Sequence, residues 1–182
     1  YLSNRVYRRK KRLLQSVPGS MCIRVTGNNR PLSVMQSISE AIMNRSSIRS
    51  YVDKPLTKIQ KRQLERLLHT DNTGPFGHKI RLNLLDLSVY SKQEIQNLGM
   101  LGAVRGAGLY ITGAVKKEKY GLEDFGYCLE WVILKATAQG FGTCWVTEDF
   151  KREIVSRKIQ AGRDEVVPAV TPVGYFQYKR SL

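Results

Sequence analysis

Residues 123–139, EDFGYCLEWVILKATAQ, carry the pattern on which the rest of the predicted fold depends. Apolar residues recur in this stretch at spacings of three and four, which places them along one face of a helix. The residues of that face are Phe125, Cys128, Leu129, Val132, Ile133 and Ala136. Two acids, Glu123 and Asp124, stand at the start of the stretch, where negative charge favours the helix dipole. Glycines at 140 and 142 follow its end. The pattern predicts a central, largely buried helix.

The segments on either side of this helix alternate between helix and strand patterns. Helical spacing is present in residues 36–45, 57–69 and 148–159, and aliphatic runs typical of strands occupy residues 80–90, 108–115 and 166–176. Turn-forming residues fill 71–79, and the glycine-rich stretch 97–107 has no clear period. Helices that alternate with a few strands indicate an α+β fold, an α/β sandwich in which helices flank one sheet.

The positive charge is concentrated at the start of the chain. The 182 residues carry a formal net charge of +15, and residues 1–34 hold eight basic residues and no acid. Residues 35–182 then hold 22 basic and 15 acidic residues, a net charge of +7. We predict a basic, flexible leader over residues 1–34 and one domain over residues 35–182. A run such as RVYRRKKRLL could contact nucleic acid or anionic lipid, but we favour a solvated leader.

The sequence predicts neither a membrane span nor a metal site. No stretch approaches the roughly 20 apolar residues that cross a bilayer, and we expect a cytoplasmic protein. The three cysteines, Cys22, Cys128 and Cys144, share no metal-ligand spacing, and the chain has only two histidines. We therefore expect the cysteines to be buried, reduced thiols.

Two short segments contain groups that could bind a ligand. Residues 45–51, RSSIRSY, combine guanidinium groups, hydroxyls and backbone amides, which are the groups that bind phosphate. Residues 140–150, GFGTCWVTEDF, contain glycines that let the main chain approach a flat ligand closely. Taken alone, the first segment is explained more simply as a solvated turn, and the second is compatible with a helix C-cap followed by a strand.

Five segments, taken in order, resemble the FMN-dependent nitroreductase superfamily and, within it, the TM nitroreductase subgroup. They are RSSIRSY (45–51), GPFGHKIRL (74–82), GAVRGAGLYITGAV (102–115), DFGYCLEWVILKATAQGFGTCWV (124–146) and PAVTPVGY (168–175). The similarity runs from about residue 37 to residue 180. It implies a central, mostly antiparallel sheet flanked by helices, an FMN cofactor, NADH or NADPH as electron donor, and a homodimer.

The resemblance also implies which residues bind FMN. Members of the family carry an Arg-x-Ser-x-Arg pattern for the phosphate and ribityl chain, a loop that touches the flavin, and a backbone segment at the N5 and O4 edge of the ring. By position these are Arg45, Ser46, Ser47 and Arg49, then Gly74, Pro75 and Phe76, then Trp145, Val146 and Thr147. No catalytic side chain is implied, because the flavin itself carries the hydride.

The chain departs from the family pattern at two places. Members of the subgroup usually have a Gly-Gly pair where this chain has Thr147 and Glu148, so a side chain could crowd the flavin there. The sequence also stops at Leu182, before the C-terminal arm of the family. We expect weaker FMN binding or a looser dimer as a result.

The resemblance implies an NAD(P)H oxidoreductase that works by ping-pong hydride transfer. NADH or NADPH reduces FMN, and a small-molecule oxidant such as a nitroaromatic or quinone then takes its place. One alternative is a catalytically weak flavin-binding protein of the same fold. A basic nucleic-acid-binding module is the less favoured alternative, because the excess charge lies mainly in the leader.

Overall fold

The computed structural model of the chain describes residues 37–99 and 104–177. The helices in this part are Ile38–Asn44 (α1), Lys58–Leu68 (α2), Lys92–Leu98 (α3), Gly121–Ala138 (α4) and Arg152–Lys158 (α5). The strands are Arg81–Asp86 (β1), Leu109–Lys116 (β2), Gly142–Thr143 (β3), Glu165–Val166 (β4) and Val170–Gly174 (β5), and a 3-10 turn spans Leu87–Val89. The predicted leader over residues 1–34 lies outside the described residues.

The predicted central helix is α4, and its apolar face is buried. Phe125, Leu129 and Ile133 are at most 1% exposed. Helix α1 covers another part of α4, where Leu134 and Ala138 pack with Ala41. Leu122, Tyr127 and Trp131 are 60%, 57% and 41% exposed, so α4 also presents large apolar groups on its surface.

The strands within residues 37–99 and 104–177 form one sheet in the order β1-β2-β5-β3, and β4 pairs with the end of β2. All of these pairings are antiparallel. Seven of the eight residues of β2 are buried, because the strand lies in the middle of the sheet and has a core on each face. This arrangement confirms the predicted α+β fold with a mostly antiparallel sheet.

Helices cover both faces of the sheet, and the residues of β2 point alternately into two cores. Ile111 packs in the core that contains residues of α2 and α4, such as Leu64 and Leu129. Tyr110 packs in the other core, which contains residues of α3 and α5, such as Leu98. The alternation follows from the period of two in a strand. The layers are those of the predicted sandwich.

Local polar groups decide where several elements end. Strand β1 stops at Asp86 because its carboxylate accepts a hydrogen bond from the Ser88 amide (2.9 Å) and starts the 3-10 turn. The predicted strand over residues 80–90 is therefore shorter. Helix α3, which the sequence analysis did not identify, has a capping box formed by Ser91 and Glu94 and ends at Gly99 in the left-handed conformation (φ 75°).

The cysteines within the described residues agree with the expectation of buried thiols. Cys128 and Cys144 are buried and form no disulfide. Burial raises the pKa of the Cys128 thiol to about 11, so this thiol is protonated and unreactive at neutral pH. Cys22 lies outside the described residues.

The helices of the described part do not include a membrane span. None combines the length and the apolar character that crossing a bilayer requires.

Candidate functional site

The structure brings together two of the three predicted site segments. Helix α1 ends at Asn44, and the chain continues from Arg45 in an extended conformation (φ −61°, ψ 132°). Ser47 then forms a parallel bridge with Thr143, and the Ile48 amide donates to the Thr143 carbonyl at 2.9 Å. The segment that contains Arg45 to Arg49 therefore runs beside the segment that follows the glycine turn, although almost 100 residues separate them in sequence.

Gly142 allows this close approach. A Cβ atom at position 142 would lie 2.7 Å from a ring carbon of Phe176 and 3.0 Å from two side-chain carbons of Ile48, which is tighter than an ordinary van der Waals contact. The glycine that the sequence analysis associated with ligand approach is thus also required for the packing of two protein segments. We use the name Arg45–Trp145 crevice for the surface along the contact between these two segments.

A carboxylate from α4 connects two of the predicted site residues in this crevice. Oε2 of Glu130 accepts a hydrogen bond from the Trp145 indole Nε1 at 2.7 Å. Oε1 of the same carboxylate lies 3.4 Å from Nε of Arg45. One side of the Arg45 guanidinium therefore already has an anionic partner.

Two polar atoms of the crevice are buried without a partner in the described part of the chain. They are Nη1 of Arg45 and Oγ1 of Thr143. A buried polar group left without a hydrogen bond destabilises a fold by about 1–3 kcal/mol. Oδ1 of Asn83 and Oε1 of Gln139 are also buried without a partner in the described residues. A guanidinium N–H and a hydroxyl are donors to phosphate and sugar oxygens, so both groups fit the acceptors of FMN.

The other polar residues of the first segment are open to solvent. Ser46, Ser47 and Arg49 are exposed. The backbone of Arg49 is held by the segment that precedes β2, because the Arg49 carbonyl accepts a hydrogen bond from the Arg105 amide at 2.9 Å. Arg105 is exposed and adds a third arginine to this edge of the molecule. No sequence pattern marks Arg105, since it lies in the stretch 97–107 that has no period.

The backbone amides at the predicted ring edge are not equally available. The amide of Val146 donates to the Val170 carbonyl at 3.0 Å, so it is already used. The amides of Trp145 and Thr147 have no acceptor among the described residues. The Thr147 carbonyl accepts from Arg152 at 2.6 Å, which fixes the direction of this backbone. Of the three predicted positions, Trp145 and Thr147 have amides that a ligand could use.

The third predicted segment, the loop with Gly74, Pro75 and Phe76, is organised around Asp124. The carboxylate of this buried residue accepts from the amides of Phe76 and His78, each at 2.9 Å, and lies 2.7 Å from Nδ1 of His78. Burial opposes ionisation of Asp124, but these hydrogen bonds outweigh it and hold the pKa of the carboxyl below its usual value. The Phe76 ring stacks on Tyr120 with 4.6 Å between ring centroids.

These contacts place the loop and the Arg45–Trp145 crevice at different positions on α4. Asp124 holds the loop at the first turn of the helix, and Glu130 faces the crevice six residues later. Six residues correspond to a rise of about 9 Å and a rotation that leaves the two residues about 120° apart around the axis. The structure therefore does not bring the loop to the same side of α4 as the other two segments.

Sequence reasoning missed two residues of the crevice, Glu130 and Thr143. A signal for Glu130 was present, since it follows the acids of the first turn as a lone acid in an otherwise apolar part of the helix, between Leu129 and Trp131. Acids are rarely placed in such positions without a partner. Thr143 had no signal, because its neighbour Ser47 is distant in sequence.

The fold is similar to that of several solved nitroreductases. A nitroreductase family protein from Clostridium difficile 630 is 18% identical, with a TM-score of 0.61 and coverage of 81% of this chain and 88% of the other. An FMN-dependent nitroreductase from Clostridium difficile R20291 is 17% identical (TM-score 0.58, coverage 77% and 88%). An FMN and NADPH-dependent nitroreductase mutant derived from sphigopyxis sp. strain HMH is 14% identical (TM-score 0.59, coverage 77% and 88%). At such identities the likeness establishes a shared fold.

The family itself follows from the sequence. The model described as "Putative TM nitroreductase" matches residues 37–181, and the chain therefore belongs to the TM nitroreductase family. None of the curated proteins with which the chain was compared matches it. The resemblance drawn from the five sequence segments is confirmed.

Proposed function

We propose that the protein is an FMN-dependent oxidoreductase that takes hydride from NADH or NADPH and delivers it to a small oxidant such as a nitroaromatic or a quinone. Membership of the nitroreductase family supports this class of reaction. The observation that carries the assignment of the site is the pair of buried, unpartnered groups in the crevice, Arg45 Nη1 and Thr143 Oγ1. Two of the similar solved proteins are described as FMN-dependent.

In this proposal the crevice binds FMN along its length. Arg45 and Arg49 bind the phosphate, and the hydroxyls of Ser46, Ser47 and Thr143 bind the ribityl chain. The amides of Trp145 and Thr147 bind the polar edge of the ring, whereas the amide of Val146 stays in the sheet. Bound FMN supplies the hydride transfer, so the chain needs to bind and orient the ring rather than to provide an acid or base.

The colour of the protein tests the proposed activity. Purified protein, incubated with FMN and desalted, is expected to be yellow, and its flavin absorbance is expected to bleach when NADH or NADPH is added without oxygen. A nitroaromatic or quinone should restore the colour. A colourless protein that does not bind added FMN contradicts the proposal, and a yellow protein that no nicotinamide bleaches indicates a flavin-binding protein without this activity.

We further propose a homodimer in which the loop of one chain completes the FMN site of the other. The loop with Gly74, Pro75 and Phe76 lies on a different side of α4 from its own crevice, so a second chain can supply it where the first chain cannot. Two exposed aromatic residues on α4, Tyr127 and Trp131, support this arrangement, because they lie one turn apart on the helix and adjacent apolar groups on a surface mark interfaces. Phe76, which stacks on Tyr120, is also 56% exposed.

A charged residue on this side of α4 tests the dimer. Tyr127→Lys is expected to weaken dimerisation at least about tenfold in sedimentation equilibrium, because the substitution places an unpaired charge in an apolar interface. The matched control is Ile59→Lys, since Ile59 is 69% exposed on α2 and lies outside the proposed interface. Equal dissociation constants for wild type and Tyr127→Lys contradict the assigned interface.

A further inference from the structure

The structure assigns a positioning role to Glu130. We infer that its carboxylate orients the Arg45 guanidinium for the flavin phosphate and, through its other oxygen, holds the Trp145 indole at the ring end of the crevice. The inference rests on the proposed binding of FMN in this crevice. Glu130 itself touches neither end of the flavin in this scheme.

The geometry of the carboxylate carries the inference. Its two oxygens face two different segments: Oε2 accepts from the Trp145 indole at 2.7 Å, and Oε1 lies 3.4 Å from Arg45 Nε. Helix α4 fixes the backbone of Glu130 between them. A single side chain of α4 therefore contacts both Arg45, which is proposed for the phosphate end, and Trp145, which is proposed for the ring end.

Contact through Nε leaves the rest of the guanidinium for a ligand. Arginine has five N–H donors in a planar fork, and Glu130 faces the one on Nε. Nη1 has no partner within the described residues and can donate to a phosphate oxygen. An arginine that is already held in this orientation loses less conformational freedom when the phosphate binds, which strengthens binding.

The exposure of the pair argues against a purely structural role. The side chains of Arg45 and Glu130 are 29% and 36% exposed, and ion pairs with such exposure contribute little to stability. Removing the charge of Glu130 should therefore leave the melting temperature almost unchanged. The Glu130 carboxylate also repels the flavin phosphate, so it opposes FMN binding while it orients Arg45. Whether FMN binds more weakly or more tightly once this charge is removed shows which of the two effects is larger.

Glu130→Gln is the informative substitution. Its amide oxygen can still accept from the Trp145 indole, whereas the charge that holds Arg45 is removed. The control is Glu65→Gln, because Glu65 is exposed on α2 and its loss raises the net charge equally. Each protein is freed of flavin and titrated with FMN and with riboflavin, which lacks the phosphate, and the quenching of flavin fluorescence is followed.

We expect Glu130→Gln to raise the dissociation constant for FMN by about tenfold, the effect of releasing one long side chain, and to leave that for riboflavin unchanged. Glu65→Gln should alter neither. Trp145→Phe should weaken FMN binding less than Glu130→Gln does, because it leaves the contact between Glu130 and Arg45 in place. Unchanged or tighter FMN binding by Glu130→Gln overturns the inference alone. A wild-type protein that binds neither flavin overturns the proposed function together with it.

Discussion

Replacing Arg45 with alanine is expected to lower the affinity for FMN by about one to two orders of magnitude, because hydrogen bonds to a charged group each contribute about 1.5–3 kcal/mol. Arg45 follows α1 directly, and the pairing of Ser47 with Thr143 fixes its position beside the crevice. Its Nη1 is buried without a partner in the described part of the chain. The substitution removes the proposed phosphate ligand and, among the described residues, leaves the Glu130 carboxylate with the Trp145 indole as its partner.

The effect should be specific to the phosphate. Riboflavin binding should change little in Arg45→Ala, and the difference between the two flavins is measured by fluorescence titration. Arg62→Ala is the matched control. Arg62 is exposed on α2, so its replacement removes the same charge from a different part of the surface. If Arg45→Ala retains FMN as well as Arg62→Ala does, the phosphate lies elsewhere.

Gly74→Ala is expected to lower the melting temperature by roughly 10 °C, since an overpacked site loses about 3 kcal/mol and a domain of this size melts about 2–4 °C lower for each kcal/mol. A Cβ atom at position 74 would overlap the carboxylate of Asp124. That carboxylate is fully buried and binds the amides of Phe76 and His78. Neither the loop nor the first turn of α4 can shift without breaking these hydrogen bonds.

Gly108→Ala provides the comparison for this substitution. A Cβ atom at position 108 would have open space around it. Gly108 is exposed and directly precedes β2. Its melting temperature should lie within about 1–2 °C of wild type, because surface substitutions of this kind alter stability by at most about 0.5 kcal/mol. Thermal unfolding followed by circular dichroism measures both variants. Equal melting temperatures for the two would show that the loop adapts to the added methyl group.

The elements with a clear period were predictable from sequence, including the seven-residue helices α1 and α5, whereas elements without such a period were not. Helix α4 has five turns of apolar spacing, and β2 is a continuous apolar run, so each identifies itself locally. Helix α3 has seven residues, and its capping box is its clearest local signal. Strand β3 has two residues and exists only because β5 lies beside it. Elements of this length depend on tertiary contacts more than on propensity.

Residue types in the candidate site were also predictable, but their arrangement was not. The arginines and serines after α1 and the glycine turn after α4 were identified as ligand-binding segments from their chemistry and their family resemblance. No local pattern connects Glu130 with either segment, because its two partners lie 85 residues before it and 15 residues after it. Nor did it place the 74–76 loop on another side of α4, which led us to propose that a second chain contributes it.

The sequence by itself determined the family, the α+β class and the helices and strands with a strong period, because these depend on local spacing and on the order of segments. Only the tertiary structure decided that Ser47 pairs with Thr143, that Val146 has no free amide, and that one carboxylate of α4 faces both Arg45 and Trp145. Such contacts arise when packing of the sheet and α4 brings distant segments within hydrogen-bond distance. Hydrogen bonds depend on separations of a few tenths of an ångström, which the spacing of residues along a chain does not encode.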